Sequence, residues 1–262
     1  MHPILFHIPG LGFKLHTYGF MTALGFLAGM FWVSYESKRL QLPTQKLIDL
    51  CFYLILATLF GARLFYMVIE VPEFWKTPLD FFKIWEGGLV FYGGLIVSLL
   101  FCFYYLKKNH LSFWKVTDVF SPGLAIGHAL GRVGCFMAGC CHGKVADVHS
   151  FWAVIYPNDP ESLAPIGIPI YATQLMESAA ELLIFLILVF FRKKKKFDGE
   201  VSLLYLLLYS TARFFIEFLR GDDSRGFLLG LSSGQVVSFI LFFSAIIFWF
   251  YRSKSFERIT DK

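Results

Sequence analysis

Seven stretches of the chain stay apolar for the roughly 20 helical residues that crossing a hydrocarbon layer about 30 Å thick requires. They run approximately over 18–36, 48–69, 88–106, 116–138, 171–191, 200–218 and 234–251. The first lacks the basic leader and small-residue cleavage site of a removable signal peptide, so it is expected to persist as a span. The polar connections between the stretches alternate in charge. Lys38, Arg39 and Lys46 fill the first, Lys107, Lys108 and Lys115 the third, Arg192 to Lys196 the fifth, and Arg252, Lys254, Arg258 and Lys262 the tail. The second mixes Glu70, Glu73, Lys76, Asp80, Lys83 and Glu86, and the fourth, 139–170, has no Lys or Arg beyond Lys144. Basic connections stay cytoplasmic. The expected fold is an all-α integral membrane protein, one polytopic domain over 1–262, with seven transmembrane helices, the N-terminus outside, the C-terminus cytoplasmic and 139–170 as the longest outer loop.

The polar residues inside the apolar stretches carry the chemical signal. His128 and Arg132 are four apart and share a helix face, which Cys135 and Gly139 continue outward. In the fifth stretch Tyr171, Gln174, Glu177 and Glu181 form one face, and in the sixth Tyr209, Arg213, Glu217 and Arg220 form another. Arg63 lies in the outer half of the second. On the expected topology Arg63, Arg132, Arg213, Glu177 and Glu217 all fall in the outer half of the membrane. Ionisable residues at that depth are functional by default, because leaving them unpaired in lipid is costly.

Two readings of this set stand side by side. In one, the arginines and glutamates are interhelical ion pairs that hold the bundle together, although buried pairs are indifferent stabilisers compared with apolar packing. In the other, the planar guanidinium groups grip a phosphate bidentately while the glutamates fix their rotamers. The glycines Gly123, Gly127 and Gly131, spaced by four, predict close approach of another helix. Gly87-Gly88 and Gly93-Gly94 open the third stretch and predict exposed N–H groups near a helix start.

Composition agrees with the membrane class: 56% apolar, 19% aromatic and 16% charged residues, with mean hydropathy +0.61. The net charge of +5 then reads as a topology signal rather than a nucleic-acid patch. His2, His7 and His16 have no metal-ligand spacing. Cys51 and Cys102 lie in apolar stretches as small hydrophobes. Cys135, Cys140, Cys141 and His142 could bind a soft metal or form a redox centre, but their order lacks the C-x-x-C spacing of structural zinc, and small packing residues are an alternative.

Taken in order, Tyr18-Gly19, Gly61-x-Arg63, Gly87-Gly88 through Phe91-Tyr92-Gly93-Gly94, Gly131-Arg132-Val133-Gly134, Gln174-x-x-Glu177 and Arg213-Phe214-x-x-Glu217-x-x-Arg220 resemble the bacterial prolipoprotein diacylglyceryl transferase family over roughly 12–251. The resemblance implies a multi-pass enzyme of the bacterial inner membrane with its active site toward the outer leaflet. Its partners would be phosphatidylglycerol, preprolipoprotein substrates and the lipid bilayer, with no nucleic acid. Such an enzyme moves the diacylglyceryl group of phosphatidylglycerol onto a lipobox cysteine thiol and releases glycerol phosphate, with no metal or organic cofactor.

Carried onto this sequence, Arg132 is the phosphate clamp and Arg213 stabilises the departing phosphate, with Glu217 and Arg220 in support. Tyr18 and Gly143 belong to the head-group pocket, and Arg63, Gly93, Gly94, Gln174 and Glu177 complete the binding set. Two departures stand out. The family's Phe-His-Gly-Gly reads Phe91-Tyr92-Gly93-Gly94, and its Gly-Asn-Phe-Ile-Asn-Gly-Glu reads Gly134-Cys135-Phe136-Met137-Ala138-Gly139-Cys140. Tyr92, with an ordinary pKa of about 10, is a poor base at neutral pH, which leaves His128 or His142 for thiol activation. A membrane thiol redox protein using Cys135, Cys140 and Cys141, a divergent transferase with another thiol or lipid substrate, and an anion or lipid transporter remain the competing functions.

Overall fold

A helical membrane protein satisfies every backbone group within its own segments, so the long apolar stretches have one stable solution. In the computed structural model the described residues are 2–8, 13–71, 81–82, 88–221, 227–228 and 230–260. Each expected stretch is a helix: α1 Thr17–Arg39, α2 Thr44–Glu70, α3 Phe91–Lys108, α4 Phe113–Ala138, α5 Thr173–Phe191, α6 Glu200–Glu217 and α7 Ser233–Thr260. Four of them, α1, α2, α5 and α7, are long and apolar enough to cross a membrane by length and composition. The others are diluted by polar residues: α3 ends in Lys107-Lys108, α4 carries Asp118 and Arg132, and α6 carries Glu200, Arg213 and Glu217. Phe31, Phe91, Phe190 and Phe250 are among many exposed large apolar side chains, a surface that suits lipid rather than water.

Among the described residues three short antiparallel strand pairs flank the helices: β1 Ile4–Ile8 with β2 Phe13–His16 ahead of α1, β3 Ala153–Ile155 with β4 Pro169–Tyr171 between α4 and α5, and β5 Phe227–Leu228 with β6 Leu231–Ser232 between α6 and α7. The expected loop 139–170 therefore ends in a strand, and the fifth helix starts at Thr173 rather than 171. Glu73, Lys76, Asp80, Lys83, Glu86, Gly87, Asp222, Asp223, Arg225 and Lys262 lie outside the described residues.

The chain divides into two units, 1–32 with 117–262, and 33–116. In the larger unit α1 meets α4 backbone to backbone. A Cβ on Gly25 would stand 2.7 Å from the Gly127 carbonyl oxygen, and one on Gly29 would stand 3.1 Å from that of Gly123. Gly131, the third glycine of the expected series, has nothing within 4 Å and makes no such contact. Trp32 donates its indole N–H to the Val119 carbonyl at 3.1 Å, and the Arg192 guanidinium stacks 4.6 Å above the Trp32 ring. Buried Asp118 of α4 accepts from Lys195 Nζ at 2.9 Å, Gly199 N at 2.8 Å and Ser202 N at 2.9 Å. It thereby caps the N-terminus of α6, where a carboxylate also meets the helix dipole. The basic run 192–196 is thus partly built into the fold.

In the smaller unit α2 packs on α3. Gly93 and Gly94 are buried, and a Cβ on Gly93 would stand 2.5 Å from the Gly61 carbonyl oxygen. The glycines let the two helices touch. Tyr105 donates its hydroxyl to the Lys46 carbonyl at 3.0 Å.

Candidate active site

Three helix faces of the larger unit supply the site. On α4, His128 and Arg132 stand one turn apart, and Arg132 Nε donates to His128 Nε2 at 3.1 Å. The other imidazole nitrogen, Nδ1, lies 2.7 Å from Glu181 Oε1 on α5, and the ring packs on Tyr209 of α6 with centroids 5.7 Å apart. One turn along α5, Glu177 is the hub. Its carboxylate meets Arg132 Nε at 2.8 Å, Arg213 Nη1 at 2.7 Å and Arg220 Nη1 at 2.9 Å. Glu217 pairs with Arg213 Nη2 at 2.6 Å and lies 3.8 Å from Arg220 Nε. Its second oxygen accepts from Ser232 Oγ at 2.9 Å, just before α7 begins. Gly234 leaves room for that carboxylate, since a Cβ there would stand 2.7 Å from Glu217 Oε1.

These groups are buried. Glu177, Arg213, Arg220 and Glu217 all expose less than a tenth of their surface, while Arg132 and His128 are half-buried. The guanidinium groups of Arg213 and Arg220, distant from Arg132 in sequence, thus share one carboxylate with it. A cavity beside them is lined by Glu177, Glu181, Tyr209, Arg213 and apolar residues of α5 and α6. Among Arg132, Arg213, Arg220, Glu177 and Glu217, the three guanidinium groups outnumber the two carboxylates by one positive charge. A phosphodiester carries the opposite charge.

The turn after α4 closes one side of the site. Gly143 pairs with Arg220 in an isolated bridge, its N–H donates to the Tyr171 carbonyl at 2.9 Å, and Lys144 N donates to the Leu219 carbonyl at 2.8 Å. A Cβ on Gly143 would stand 2.6 Å from Tyr171 O, so only glycine fits between the start of α5 and the end of α6. Gln174, fully buried, donates to the Cys140 carbonyl at 2.7 Å, and Thr173 donates to that of Cys141 at 3.0 Å. His142 Nδ1 lies 3.0 Å from the Gly143 carbonyl. The Sγ atoms of Cys135, Cys140 and Cys141 all lie within 4.8 Å of one another, and none is in a disulfide. The Cys135 and Cys140 thiols, followed by the Arg220 guanidinium, hold the Cys141 thiol well below its ordinary range. Hydrogen bonding to the other two sulfurs raises that of Cys140. Tyr18, half-exposed at the start of α1, interacts electrostatically with all three cysteines.

The expected residues therefore fall into two groups. Arg132, His128, Gln174, Glu177, Arg213, Glu217, Arg220, Gly143, His142 and Tyr18 belong to the larger unit, and the ion pairs and turn contacts above join them. Tyr92, Arg63, Gly93 and Gly94 belong to the smaller one. There Arg63 is buried, donating from Nε to the Phe81 carbonyl at 3.1 Å and from Nη1 to that of Gly88 at 3.2 Å. Tyr92 is exposed at the first turn of α3. Sequence reasoning missed Ser232 and Gly234, whose only signal is a short polar run ahead of the last apolar stretch; the gathering of the three sulfurs was one of the alternatives it left open.

Comparison with known proteins gives a consistent result. The family model described as prolipoprotein diacylglyceryl transferase matches residues 3–251. The phosphatidylglycerol–prolipoprotein diacylglyceryl transferase 2 of Clostridium perfringens (strain 13 / Type A) is 32% identical over 238 residues, covering 91% of this chain and 91% of that protein. The phosphatidylglycerol–prolipoprotein diacylglyceryl transferase of Dehalococcoides mccartyi is 34% identical over 262 residues, covering 99% of this chain and 96% of that protein. That of Pseudoalteromonas atlantica is 35% identical over 244 residues, 90% of this chain and 84% of that protein.

Proposed function

The chain belongs to the prolipoprotein diacylglyceryl transferase family, and from that premise we propose that it transfers the diacylglyceryl group of phosphatidylglycerol to the lipobox cysteine thiol of preprolipoproteins. It does so as a seven-span protein of the bacterial inner membrane, N-terminus outside, with the site toward the outer leaflet. The observation that carries this reading is the meeting of Arg132, Arg213 and Arg220 on the single carboxylate of Glu177.

The reaction is a substitution at a glyceryl carbon. A thiolate attacks, the carbon–oxygen bond to phosphate breaks, and negative charge grows on the departing glycerol phosphate. Guanidinium groups already oriented by carboxylates act where that charge develops, in a site of low dielectric. Arg132, the most accessible of the three, clamps the phosphate of the bound lipid. Arg213, held by Glu177 and Glu217, stabilises the phosphate as it leaves, and Arg220 holds both carboxylates in place. Gln174, Gly143 and Tyr18 shape the head-group side. The diacyl chains stay in the bilayer against the exposed apolar helix surfaces.

The test incubates the protein in lipid nanodiscs with phosphatidylglycerol and a lipobox-cysteine peptide. Mass spectrometry should report a peptide mass gain of one diacylglyceryl group, with one glycerol phosphate released per peptide modified. Turnover should fall by about 100- to 1,000-fold in Arg213→Gln, the loss typical of removing one charge-stabilising donor. A peptide of unchanged mass, or activity untouched by Arg213→Gln, would overturn the reading.

A further inference from the structure

The ion-pair cluster leaves one need unmet. A thiol with an ordinary pKa of about 8.5 must lose its proton before it attacks carbon. His128 is held between Glu181 and Arg132, the Nδ1 of His142 is engaged by Gly143, and Tyr92 is a weak base at neutral pH. The turn after α4 offers another route. Cys135, Cys140 and Cys141 bring three sulfurs within 4.8 Å of one another. The arrangement is built rather than incidental. Cys141 has a φ of 59°, a left-handed conformation uncommon for a residue with a β-carbon, and side chains of neighbouring residues otherwise diverge. Buried Gln174 and Thr173 hold the carbonyls of Cys140 and Cys141. The Arg220 guanidinium hydrogen-bonds Cys141, and Arg132 interacts electrostatically with Cys135 and Cys141, so positive charge faces the sulfurs.

We propose that Cys135, Cys140 and Cys141 bind one zinc ion through three thiolates, and that its fourth coordination position takes the acceptor cysteine and presents it as a zinc thiolate beside the arginine cluster. The role at the fourth position rests on the transferase reading; the metal site does not. Tetrahedral zinc with bonds of about 2.3 Å sets its sulfurs about 3.8 Å apart, a contraction that rotation about the Cα–Cβ bonds supplies. Soft thiolates select zinc over magnesium or calcium. Three protein ligands with one open position are the arrangement of catalytic rather than structural zinc. The missing C-x-x-C spacing is no objection, because the fold brings the sulfurs together.

The step balances without any change of oxidation state. The acceptor thiol displaces water from zinc and gives its proton to solvent, as thiols on a cationic metal do. Its sulfur forms a bond to the glyceryl carbon while the carbon–oxygen bond to phosphate breaks, and glycerol phosphate leaves with the electron pair toward Arg132 and Arg213. The thioether, a weaker donor than a thiolate, leaves zinc, and water returns.

The full-length protein in nanodiscs provides the test, with cobalt(II) as a spectroscopic stand-in for zinc. The expected result is one zinc per chain, intense thiolate-to-cobalt absorption, and a shift of the visible cobalt bands on adding a lipobox-cysteine peptide but not its Cys→Ser counterpart. C140S/C141S should lose the metal, and transfer should fall by about 100-fold or more. Its melting curve, recorded beside that of metal-stripped wild type, separates misfolding from loss of the site. Absence of thiolate-to-cobalt absorption in the wild-type protein, with transfer intact, would overturn the proposal while leaving the transferase standing. Cobalt absorption that ignores the peptide would overturn the thiol-binding role and leave a structural metal. Binding and band shift with no diacylglyceryl transferred would support the metal site and sink the transferase reading.

Discussion

At the scale of single residues, the arginine cluster admits a sharp distinction between gluing the bundle and binding a phosphate. Arg132 is the member with the most exposed side chain, 15% against 8% and 2% for Arg213 and Arg220. Arg132→Lys keeps the charge beside Glu177 but loses the planar fork. It should lower kcat/KM for phosphatidylglycerol by about 10- to 150-fold, the worth of a charged hydrogen bond of about 1.5–3 kcal/mol, with its melting temperature close to wild type. An equal loss of stability and activity would instead mark Arg132 as glue. Glu177→Ala is a different experiment. It removes the carboxylate shared by buried Arg213 and Arg220 and half-buried Arg132, so detergent-micelle unfolding should show a loss of about 3–5 kcal/mol, and Glu177→Gln should recover part of it. The convergence of Arg132, Glu177, Arg213, Glu217 and Arg220 was legible because each pair repeats at three or four positions on its own helix. The hub role of Glu177 was not, since periodicity says which face a side chain occupies and nothing about which of three neighbours its carboxylate will choose. Gly93 and Gly94 were read as open anion-binding backbone, and they serve α2–α3 contact instead.

At the scale of elements, the helices were legible because length and hydropathy leave an apolar segment little choice, although α2 begins at Thr44 rather than 48 and α7 runs on to Thr260 rather than 251. The hairpins were not. Strands of two to five residues, such as β5 and β1, are too short for alternation to register. The α1–α4 contact tests how far sequence spacing can be trusted. Gly25→Ala would drive a methyl to 2.7 Å from the Gly127 carbonyl oxygen, and overpacking of this kind costs about 1–3 kcal/mol. Gly131→Ala, in open space, should be neutral or stabilising by up to about 1 kcal/mol, because alanine is the better helix former. Thermal unfolding of the two variants should therefore move in opposite directions, although the sequence presents Gly127 and Gly131 as equivalent steps of one series. Asp118 makes a second case at this scale. Asp118→Ala removes the cap from α6 and leaves buried Gly199 N–H and Ser202 N–H unpaired, which should cost about 1–2 kcal/mol or more, read by hydrogen exchange confined to the first turn of α6.

At the scale of the whole molecule, orientation decides whether the site can meet its substrates. The proposed transfer to a lipobox cysteine delivered across the membrane requires Arg132, Arg213 and the turn at Cys140–Gly143 to face the outer leaflet. Only charge speaks to this in the sequence, and the signal is one-sided: Lys107, Lys108 and Lys115, the run Arg192 to Lys196, and Arg252, Lys254 and Arg258 all fall on alternate connections. Part of that signal is structural, because Lys195 is bound to Asp118 and Arg192 stacks on Trp32. Neutralising these two should therefore damage folding as well as topology, whereas Lys193→Gln with Lys194→Gln should affect topology alone. Alkaline phosphatase inserted after Pro160 should be active outside, while green fluorescent protein fused after Lys196 or at the C-terminus should fluoresce inside. Phosphatase inactive after Pro160 together with dark green fluorescent protein after Lys196 would turn the bundle over in the bilayer. The arginine cluster would then open toward the cytoplasm, where no translocated lipobox thiol arrives, and the transferase would need a different route to its protein substrate.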